Sequence, residues 1–365
     1  MLRSLEFVKN PVVFLVMELQ SARIQAFLKR KAVQFIGFNE VSSVGLVRGN
    51  SKVTVDFEKL CQYSNGFSTE IFDPRISATR GHYYQERSAY LVRDVILEPR
   101  QGLVYSAAGE LIDESTSWQT AHVYSSFPWN PKKNIKELPL ESAIYVTSNT
   151  FYHWLIEDLA STIFCLGLNS KSPILVAKNC PAFVLDFLQT TNREIIYLSG
   201  PVRVKSLLMV AKGKNSGWPH PSDIEVLLSY EPFALALKDQ IPDKGIYISR
   251  RNARRSPENE TEVENTFQNL GFKVLELEKL TLLDQIASLS QASMIAGVHG
   301  AGLTNAIWLK KGSKVLDIVN ENYWTECFHR LCALKEVQYA FHKCEGKIQD
   351  PIALPGLVNQ INELD

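Results

Sequence analysis

The sequence predicts an α/β protein in which two Rossmann-like units face each other across a cleft, preceded by a β-rich N-terminal region. Residues 41–123 contain short alternating runs broken by turn-forming residues, as in β-structure. Residues 143–198 and 244–319 alternate short apolar strands with helical stretches, which is typical of a parallel sheet covered by helices. The intervening segment, 213–242, is rich in Pro and Gly and is interpreted as a hinge.

Length and charge restrict the class of protein. The chain has 365 residues, with 39 Lys and Arg balanced by 39 Asp and Glu. This length predicts two or three domains, and formal neutrality argues against a nucleic-acid partner. The 6 cysteines include no CxxC pair, so a disulfide framework and a zinc site are not expected and the compartment is interpreted as reducing.

The first predicted domain, residues 1–140, combines an N-terminal helix with the β-rich region. The apolar run near the start is too short to span a bilayer and has no small-residue cleavage site, so a soluble cytoplasmic protein is expected. Residues 12–36 form an ordinary packed helix or, in the alternative, an amphipathic helix at the inner membrane surface. Strands are predicted at 51–57 and 90–97, with a hairpin at 103–112.

The first Rossmann-like unit is predicted at 141–235 and the second at 244–345, followed by a C-terminal helix at 346–365. In the first unit the pattern predicts strands at 143–146, 173–177 and 194–198, with helices at 151–166 and 181–190. In the second unit it predicts strands at 245–249, 272–276, 293–297 and 313–319, with helices at 260–270, 281–291 and 302–309.

The segment 295–305 is the strongest candidate for an anion site. An apolar strand runs through His299, Gly300, Ala301 and Gly302 into a helix, so that backbone N–H groups at the helix N-terminus are open to a phosphate. The segment lacks both GxGxxG and a Walker lysine, which argues against a dehydrogenase or P-loop protein. A tight strand-helix turn that needs glycine only for packing is the alternative.

Four arginines follow the first strand of the same unit, within residues 250–255. In a parallel sheet this loop opens on the same edge as the His299 turn, and Arg suits bidentate phosphate contacts. The two loops together predict a diphosphate site, although at least one of the arginines is expected to be merely solvated. The candidate ligand-binding residues of this unit are Arg250, Arg251, Arg254, Glu276, His299, Gly300, Ala301, Gly302, Asn305 and Glu321.

A third candidate site lies on the helix that begins near Thr150. His153 and Glu157 are four residues apart on one face, so an imidazole and a carboxylate can meet at the carboxyl end of a strand. Asp158 lies about 100° further round the helix. The candidate catalytic residues are therefore His153, Glu157 and Asp158, against the alternative of a helix in which the histidine only packs. No acidic pair follows a strand, so no metal is expected.

The motifs at 149–159, 247–260 and 296–309, with Val315-Leu316-Asp317-Ile318, resemble the pattern of glycosyltransferase family 61. The resemblance covers about residues 100–345. It implies a GT-B fold, a nucleotide-sugar donor held by the second unit, inversion at the anomeric carbon and no essential metal. By motif position it gives Arg250, Arg254, His299, Gly300 and Gly302 the diphosphate role, and it implies a nucleoside near Glu276 and Glu321. His153, with Glu157 or Asp158, is left to the acceptor side.

These observations predict an inverting glycosyltransferase that needs no cofactor and moves a sugar from a nucleotide-diphosphate sugar, a UDP-sugar in the first instance, to a hydroxyl of a glycan or lipid-linked glycan. Capsule-type polysaccharide synthesis is the expected context. Two alternatives remain open: a non-catalytic subunit that binds nucleotide sugars or glycans, and a GT-B-type nucleotide-sugar epimerase.

Overall fold

The computed structural model describes residues 35–36, 44–49, 53–54, 83–84, 88–100, 102–115, 135–148, 150–210, 218–237 and 245–364. The chain divides into two compact units, and the described residues up to Leu227 belong to the first while those from Leu228 onward belong to the second. The predicted N-terminal helix at 12–36 lies almost entirely outside the described residues.

The first unit is built on a mixed sheet. Its strands are β1 (Phe35–Ile36), β2 (Val44–Gly49), β5 (Ser88–Glu98), β6 (Leu103–Ser106), β7 (Leu111–Ile112), β8 (Lys136–Glu137), β9 (Ala143–Val146), β10 (Ile174–Ala177), β11 (Ile195–Leu198) and β12 (Val202–Val210). The main path of the sheet runs β1-β7-β6-β5-β12-β9-β10-β11, with β2 paired to β5 and β8 to β12. Two short strands, β3 (Val53–Thr54) and β4 (Tyr83–Tyr84), form a separate pair.

The predicted β-rich region and the first Rossmann-like strands therefore share one sheet. Strand β12, which the sequence analysis did not predict, joins them because it pairs antiparallel with β5 and parallel with β9. Val202, Val204 and Leu207 on β12 are buried in the core of this unit. The alternation of Val202 and Val204 with Arg203 and Lys205 is a strand pattern that could have revealed it.

Several predicted elements of the first unit are confirmed. The hairpin at 103–112 is present as β6 and β7, and Gly109 occupies its turn with φ of 87°. The helix predicted at 151–166 consists of α1 (Phe151–His153), a π-helical segment (Trp154–Leu159) and α2 (Ala160–Leu168). Helix α3 (Ala182–Gln189) follows β10 as predicted.

The segment interpreted as a hinge contains regular structure. Its described part forms α4 (Pro221–Ser229) and α5 (Glu231–Ala236). Phe233 on α5 is fully buried and meets Trp308 edge to face, and both of these residues belong to the second unit. Proline begins α4 and stands in the first turn of α5, where it is compatible with a helix because the missing N–H has no intrahelical acceptor.

The second unit contains a five-stranded parallel sheet. Its strands are β13 (Ile246–Ile248), β14 (Lys273–Leu275), β15 (Met294–Val298), β16 (Lys314–Asn320) and β17 (Gln338–Cys344), in the order β14-β13-β15-β16-β17. Every pairing between these neighbours is parallel. This is a doubly wound order, in which ligands bind outside the carboxyl ends of the strands.

The helices of the second unit are α6 (Glu260–Asn269), α7 (Leu282–Leu289), α8 (Cys327–Leu334) and α9 (Leu354–Leu364). Helix α8 and strand β17 were not predicted as individual elements, and the helix predicted at 302–309 is a 3₁₀-helix, Ala301–Trp308. Tyr247 on β13 stacks on Phe267 of α6 at 4.3 Å between ring centroids, which fixes this helix against the sheet. The α/β class predicted from the sequence is thus confirmed.

Candidate functional site

The carboxyl edge of the second sheet brings the two predicted loops together. Strand β13 ends at Ile248 and leads into the arginine cluster, while the neighbouring β15 ends at Val298 and leads into the His299 turn. Because neighbouring parallel strands end at the same edge, Arg250 reaches the turn across a separation of nearly fifty residues in sequence.

The Arg250 guanidinium lies directly on the His299–Gly300 turn. Its Nη1 donates to the backbone oxygen of His299 at 3.2 Å and lies 3.5 Å from that of Val298. A Cβ atom added at Gly300 would overlap this guanidinium. Glycine at this position therefore makes room for the Arg250 side chain, whereas the sequence analysis expected it to let a phosphate approach.

The Arg250 guanidinium is partly buried and is subject to opposing charges. Burial lowers its pKa and the positive charge of Arg255 lowers it further, whereas the negative charge of Glu260 acts in the opposite direction. Its Nε is buried and makes no hydrogen bond within the described part of the chain. No carboxylate of the described residues forms an ion pair with Arg250 or Arg255. Guanidinium groups held in this way suit the bidentate binding of a phosphate.

Two acidic residues of α6 hold the loop that carries Arg250. Glu260 accepts the backbone N–H of Arg250 at 2.6 Å and the Tyr247 hydroxyl at 3.1 Å. Glu264 accepts the Ser249 hydroxyl at 2.6 Å. Burial raises the pKa of Glu260. Burial also tends to raise the pKa of Glu264, but hydrogen bonds from Arg251 and Ser249 have the larger effect, so its pKa is lowered.

The remaining arginines of the cluster differ from Arg250. Arg251 forms an ion pair with Glu264, which neutralises its charge. Arg254 is exposed. Arg255, which the sequence analysis included in the cluster but did not select, lies with its guanidinium 4.0 Å from the ring centroid of Tyr323. Arg255 is therefore near enough to Arg250 to repel it electrostatically, whereas Arg251 is paired with a carboxylate and Arg254 is exposed.

His299 is almost completely buried. Its Nδ1 lies 2.8 Å from Oδ2 of Asp317, which also accepts the Tyr339 hydroxyl at 2.8 Å. Its Nε2 lies 3.4 Å from the Thr325 hydroxyl. The His299 side chain is 4% exposed and that of Asp317 is 0% exposed. The sequence analysis did not predict this contact. Asp317 is a single carboxylate inside the apolar run of β16 and could have indicated it, because an ionised side chain is rarely buried without partners.

The other residues of the predicted turn have structural contacts. A Cβ atom on Gly302 would lie 3.0 Å from Cγ2 of Ile248, so Gly302 allows the 3₁₀-helix to pack against β13. Asn305 is fully buried and donates to the backbone oxygen of Gly302 at 3.1 Å, while its own oxygen accepts the Trp308 indole N–H at 3.0 Å. Ala301 is half-buried and its backbone oxygen accepts the Thr304 hydroxyl.

The two acidic residues placed near the nucleoside follow β14 and β16. Glu276 accepts from Asn252 Nδ2 at 2.9 Å and from Lys279 Nζ at 2.7 Å. Glu321 accepts the backbone N–H of Gly346 at 3.2 Å and lies 3.5 Å from Lys343 Nζ. Both lie at strand ends, as expected, and both already have protein partners, so their contact with a nucleoside stays a prediction.

In the first unit, His153 and Glu157 meet as their spacing predicts. His153 Nδ1 lies 2.8 Å from Glu157 Oε2, and the side chains are 14% and 5% exposed. The pair lies after the carboxyl end of β9. The π-helical segment Trp154–Leu159 begins directly after His153 and contains Glu157. Such π-helical turns occur frequently at functional sites. The fully buried Trp154 anchors this helix, because it packs against Phe183 of α3 at 4.7 Å between ring centroids.

Asp158 points to a different partner. The Thr147 hydroxyl, at the end of β9, donates to Asp158 Oδ2. A small cavity borders Thr147, Asp158 and Ser161. Thr147 was missed by the sequence analysis, because only the fold brings the strand end back onto the helix. The geometry groups His153 with Glu157 and separates Asp158 from them.

Two further observations concern the described residues only. Across these ranges, no three His, Cys, Asp or Glu side chains cluster so that they could hold a metal ion. None of the helices that the structure describes is sufficiently long and apolar to pass through a bilayer.

Comparison with known proteins identifies the class of this protein. Residues 151–316 match the family model described as Glycosyltransferase 61. This segment contains His153, Glu157, Arg250 and His299. No curated protein matches the chain significantly. Among solved structures, a dipicolinate synthase chain from Bacillus halodurans is similar at 11% identity and a TM-score of 0.20, over 66% of this chain and 82% of that one. A TM-score this low carries no argument.

The family match confirms the resemblance found in the sequence motifs. The protein is an enzyme of the glycosyltransferase class. More particularly, the part of the chain that matches the glycosyltransferase family 61 model is residues 151–316, which contain most residues of both candidate sites.

Proposed function

We propose that this enzyme is an inverting, metal-independent glycosyltransferase that moves a sugar from a nucleotide-diphosphate sugar, a UDP-sugar in the first instance, to a hydroxyl of a glycan or lipid-linked glycan. The observation that carries the proposal is the Arg250 guanidinium, held on the His299–Gly300 turn with a buried Nε that has no hydrogen-bond partner among the described residues. Placed at the carboxyl edge of a doubly wound sheet, it is suited to a phosphate group.

The leaving diphosphate needs its developing negative charge to be neutralised. Arg250 and Arg255 are close enough for the charge of Arg255 to lower the pKa of Arg250, so they place two positive charges in one region. Preorganised cations of this kind stabilise a leaving phosphate without a metal ion. The metal independence in our proposal rests on these two arginines.

The acceptor hydroxyl needs a general base, and we assign this role to the His153–Glu157 pair. The acceptor oxygen attacks the anomeric carbon while the base removes its proton. The bond between that carbon and the diphosphate oxygen breaks, and its electron pair leaves with the nucleoside diphosphate. One displacement of this kind inverts the anomeric centre, and a base placed by the helix of the first unit serves it. Asp158, bonded to Thr147, orients this helix.

The proposal assigns the donor to the second unit and the acceptor to the first, as in the GT-B fold. It places the enzyme in the cytoplasm, with polysaccharide synthesis, of the capsular type among others, as its context. The described cysteines are all free thiols, which agrees with a reducing compartment. Contact of the N-terminal segment with the inner membrane surface stays part of the proposal, and that segment lies outside the described residues.

The test is an assay of the full chain with a panel of nucleotide sugars and glycan acceptors in excess EDTA. Proton NMR of the product reports the anomeric configuration. We expect transfer in EDTA with inversion, and a large loss in the Arg250→Ala variant. Retention of configuration, or a loss in EDTA that Mn²⁺ restores, would contradict the mechanism. Incubation with donor alone tests the epimerase alternative, because an epimerase needs no acceptor.

A further inference from the structure

Tyr323 occupies a position that the sequence analysis did not select. It follows β16, where its backbone N–H donates to the Asn320 oxygen at 2.9 Å. One face of its ring carries the Arg255 guanidinium, with Cζ 4.0 Å from the ring centroid. A guanidinium over an aromatic face is attracted by the ring quadrupole.

The charge arrangement makes this contact informative. Arg255 is near enough to Arg250 to lower the pKa of that guanidinium by repulsion. No carboxylate among the described residues forms an ion pair with either arginine, so neither charge is neutralised by direct contact, although the charge of Glu260 partly offsets the repulsion at Arg250. Repulsion between the two cations opposes this placement, so a favourable contact on one of them is needed to offset it.

The ring of Tyr323 is itself held by a neighbouring aromatic ring. His299 meets it edge to face, with ring centroids 5.6 Å apart. The buried Asp317 carboxylate holds the imidazole of His299 through Nδ1, at 2.8 Å. A series of side-chain contacts, from Asp317 through His299 to Tyr323, therefore connects the core of the sheet to the ring face that Arg255 contacts.

We propose that Tyr323 is a positioning residue that holds Arg255 beside Arg250, so that the two guanidinium groups bind the two phosphates of a diphosphate together. The inference rests on the proposed function, in which the donor is a nucleotide-diphosphate sugar. It adds the residue that confers preference for a diphosphate over a monophosphate. His299 contributes by orienting Tyr323, because its ring meets that of Tyr323 edge to face.

The experiment measures calorimetric binding of inorganic pyrophosphate and of inorganic phosphate to the full-length protein. We compare the wild type with Tyr323→Phe, Tyr323→Leu, Arg255→Gln and the Tyr323→Leu/Arg255→Gln double variant. Tyr323→Leu is expected to weaken pyrophosphate binding about tenfold, because the cation–π contact is lost, while phosphate binding changes by less than about threefold. Tyr323→Phe retains the aromatic face and should bind pyrophosphate as the wild type does.

In the Arg255→Gln background, Tyr323→Leu should cause no further loss, because both changes remove the same positioned cation. Pyrophosphate binding unchanged in Tyr323→Leu, or losses that add in the double variant, would overturn the inference alone. A wild-type protein that binds no pyrophosphate, and no UDP in a parallel titration, would overturn the proposed function with it. If Tyr323→Leu fails to fold by circular dichroism, Arg255→Gln decides, since it must show the same selective loss of pyrophosphate binding and overturns the inference if it does not.

Discussion

In the first unit, β9 leads through Thr147 into the helix of His153 and Glu157, and in the second unit β15 leads through His299 into the 3₁₀-helix that begins at Ala301. Both are strand-to-helix junctions at the carboxyl end of a parallel strand. In the first, an imidazole and a carboxylate four residues apart meet within one helix. In the second, the charged group comes from the neighbouring strand and rests on backbone oxygens.

Similar strand-to-helix junctions therefore present side chains with different chemical properties. A carboxylate paired with an imidazole can accept a proton, whereas a guanidinium with no carboxylate partner attracts an anion. The first arrangement is local in sequence and the second depends on the register between β13 and β15. Substitutions at the first junction should therefore change turnover, and those at the second should change nucleotide binding.

The largest effect is expected from Glu157→Gln. Loss of the carboxylate should lower kcat by about 10²–10⁴-fold, the usual contribution of a positioned base, with the KM for the donor nearly unchanged. Steady-state kinetics with the accepted sugar and acceptor measure it. Glu225→Gln, at an exposed position on α4, is the matched control and should behave as wild type. Near-normal turnover in Glu157→Gln would show that the helix of the first unit serves packing alone.

The next effect concerns Gly300→Ala at the second junction. The added methyl group would overlap the Arg250 guanidinium and displace it from the turn. We expect UDP binding to weaken about 10- to 100-fold, since a charge-assisted contact contributes about 1.5–3 kcal/mol. Calorimetry with UDP measures the loss. Gly200→Ala is the control, because a Cβ atom there meets no other atom within 4 Å. Full UDP affinity in Gly300→Ala would remove Arg250 from the site.

A third prediction concerns stability and pH. Glu264→Ala removes the acceptor of the Ser249 hydroxyl and should lower the free energy of unfolding by about 1–3 kcal/mol at pH 7. The fold lowers the pKa of Glu264. The ionised carboxylate therefore contributes fully to the free energy of unfolding above the pKa of about 4.3 that Glu has in the unfolded chain. This contribution is lost as the pH falls from that value through the folded pKa. The difference in the free energy of unfolding between the wild type and Glu264→Ala should therefore become smaller in acid.

Urea unfolding at a series of pH values measures this difference. Glu262→Ala, at an exposed position on the same helix, is the control and should leave the free energy of unfolding nearly unchanged at every pH. A gap between wild type and Glu264→Ala that stays constant into acid would mean that the ionised carboxylate is not what holds the loop.

The smallest effect is expected from Arg254→Ala. Arg254 is exposed, whereas Arg250 rests on the turn. Its removal should weaken UDP binding by less than about twofold, within the range of ordinary surface substitutions. The same calorimetric titration applies. A loss as large as that of Arg250→Ala would show that the whole arginine cluster binds the nucleotide, and that the contrast between the two junctions is misplaced.

Features that depend on local spacing could be predicted from the amino-acid sequence. The alternation of strands and helices predicted the α/β class, and the i,i+4 spacing of His153 and Glu157 predicted their contact, because a helix brings such residues together whatever surrounds it. The order of elements at residues 245–320 likewise predicted which loops open on one sheet edge. The glycosyltransferase class followed from the motifs that those loops contain.

Contacts between residues that lie far apart in the chain became known only from the tertiary structure. It brought Arg255 near enough to Arg250 to repel it, and it paired Arg251 with Glu264 of α6 and Arg255 with the ring of Tyr323. It assigned Gly300 to the guanidinium of Arg250, since the register between β13 and β15 sets that approach. Such contacts depend on strand register and packing, which no spacing within a single loop encodes.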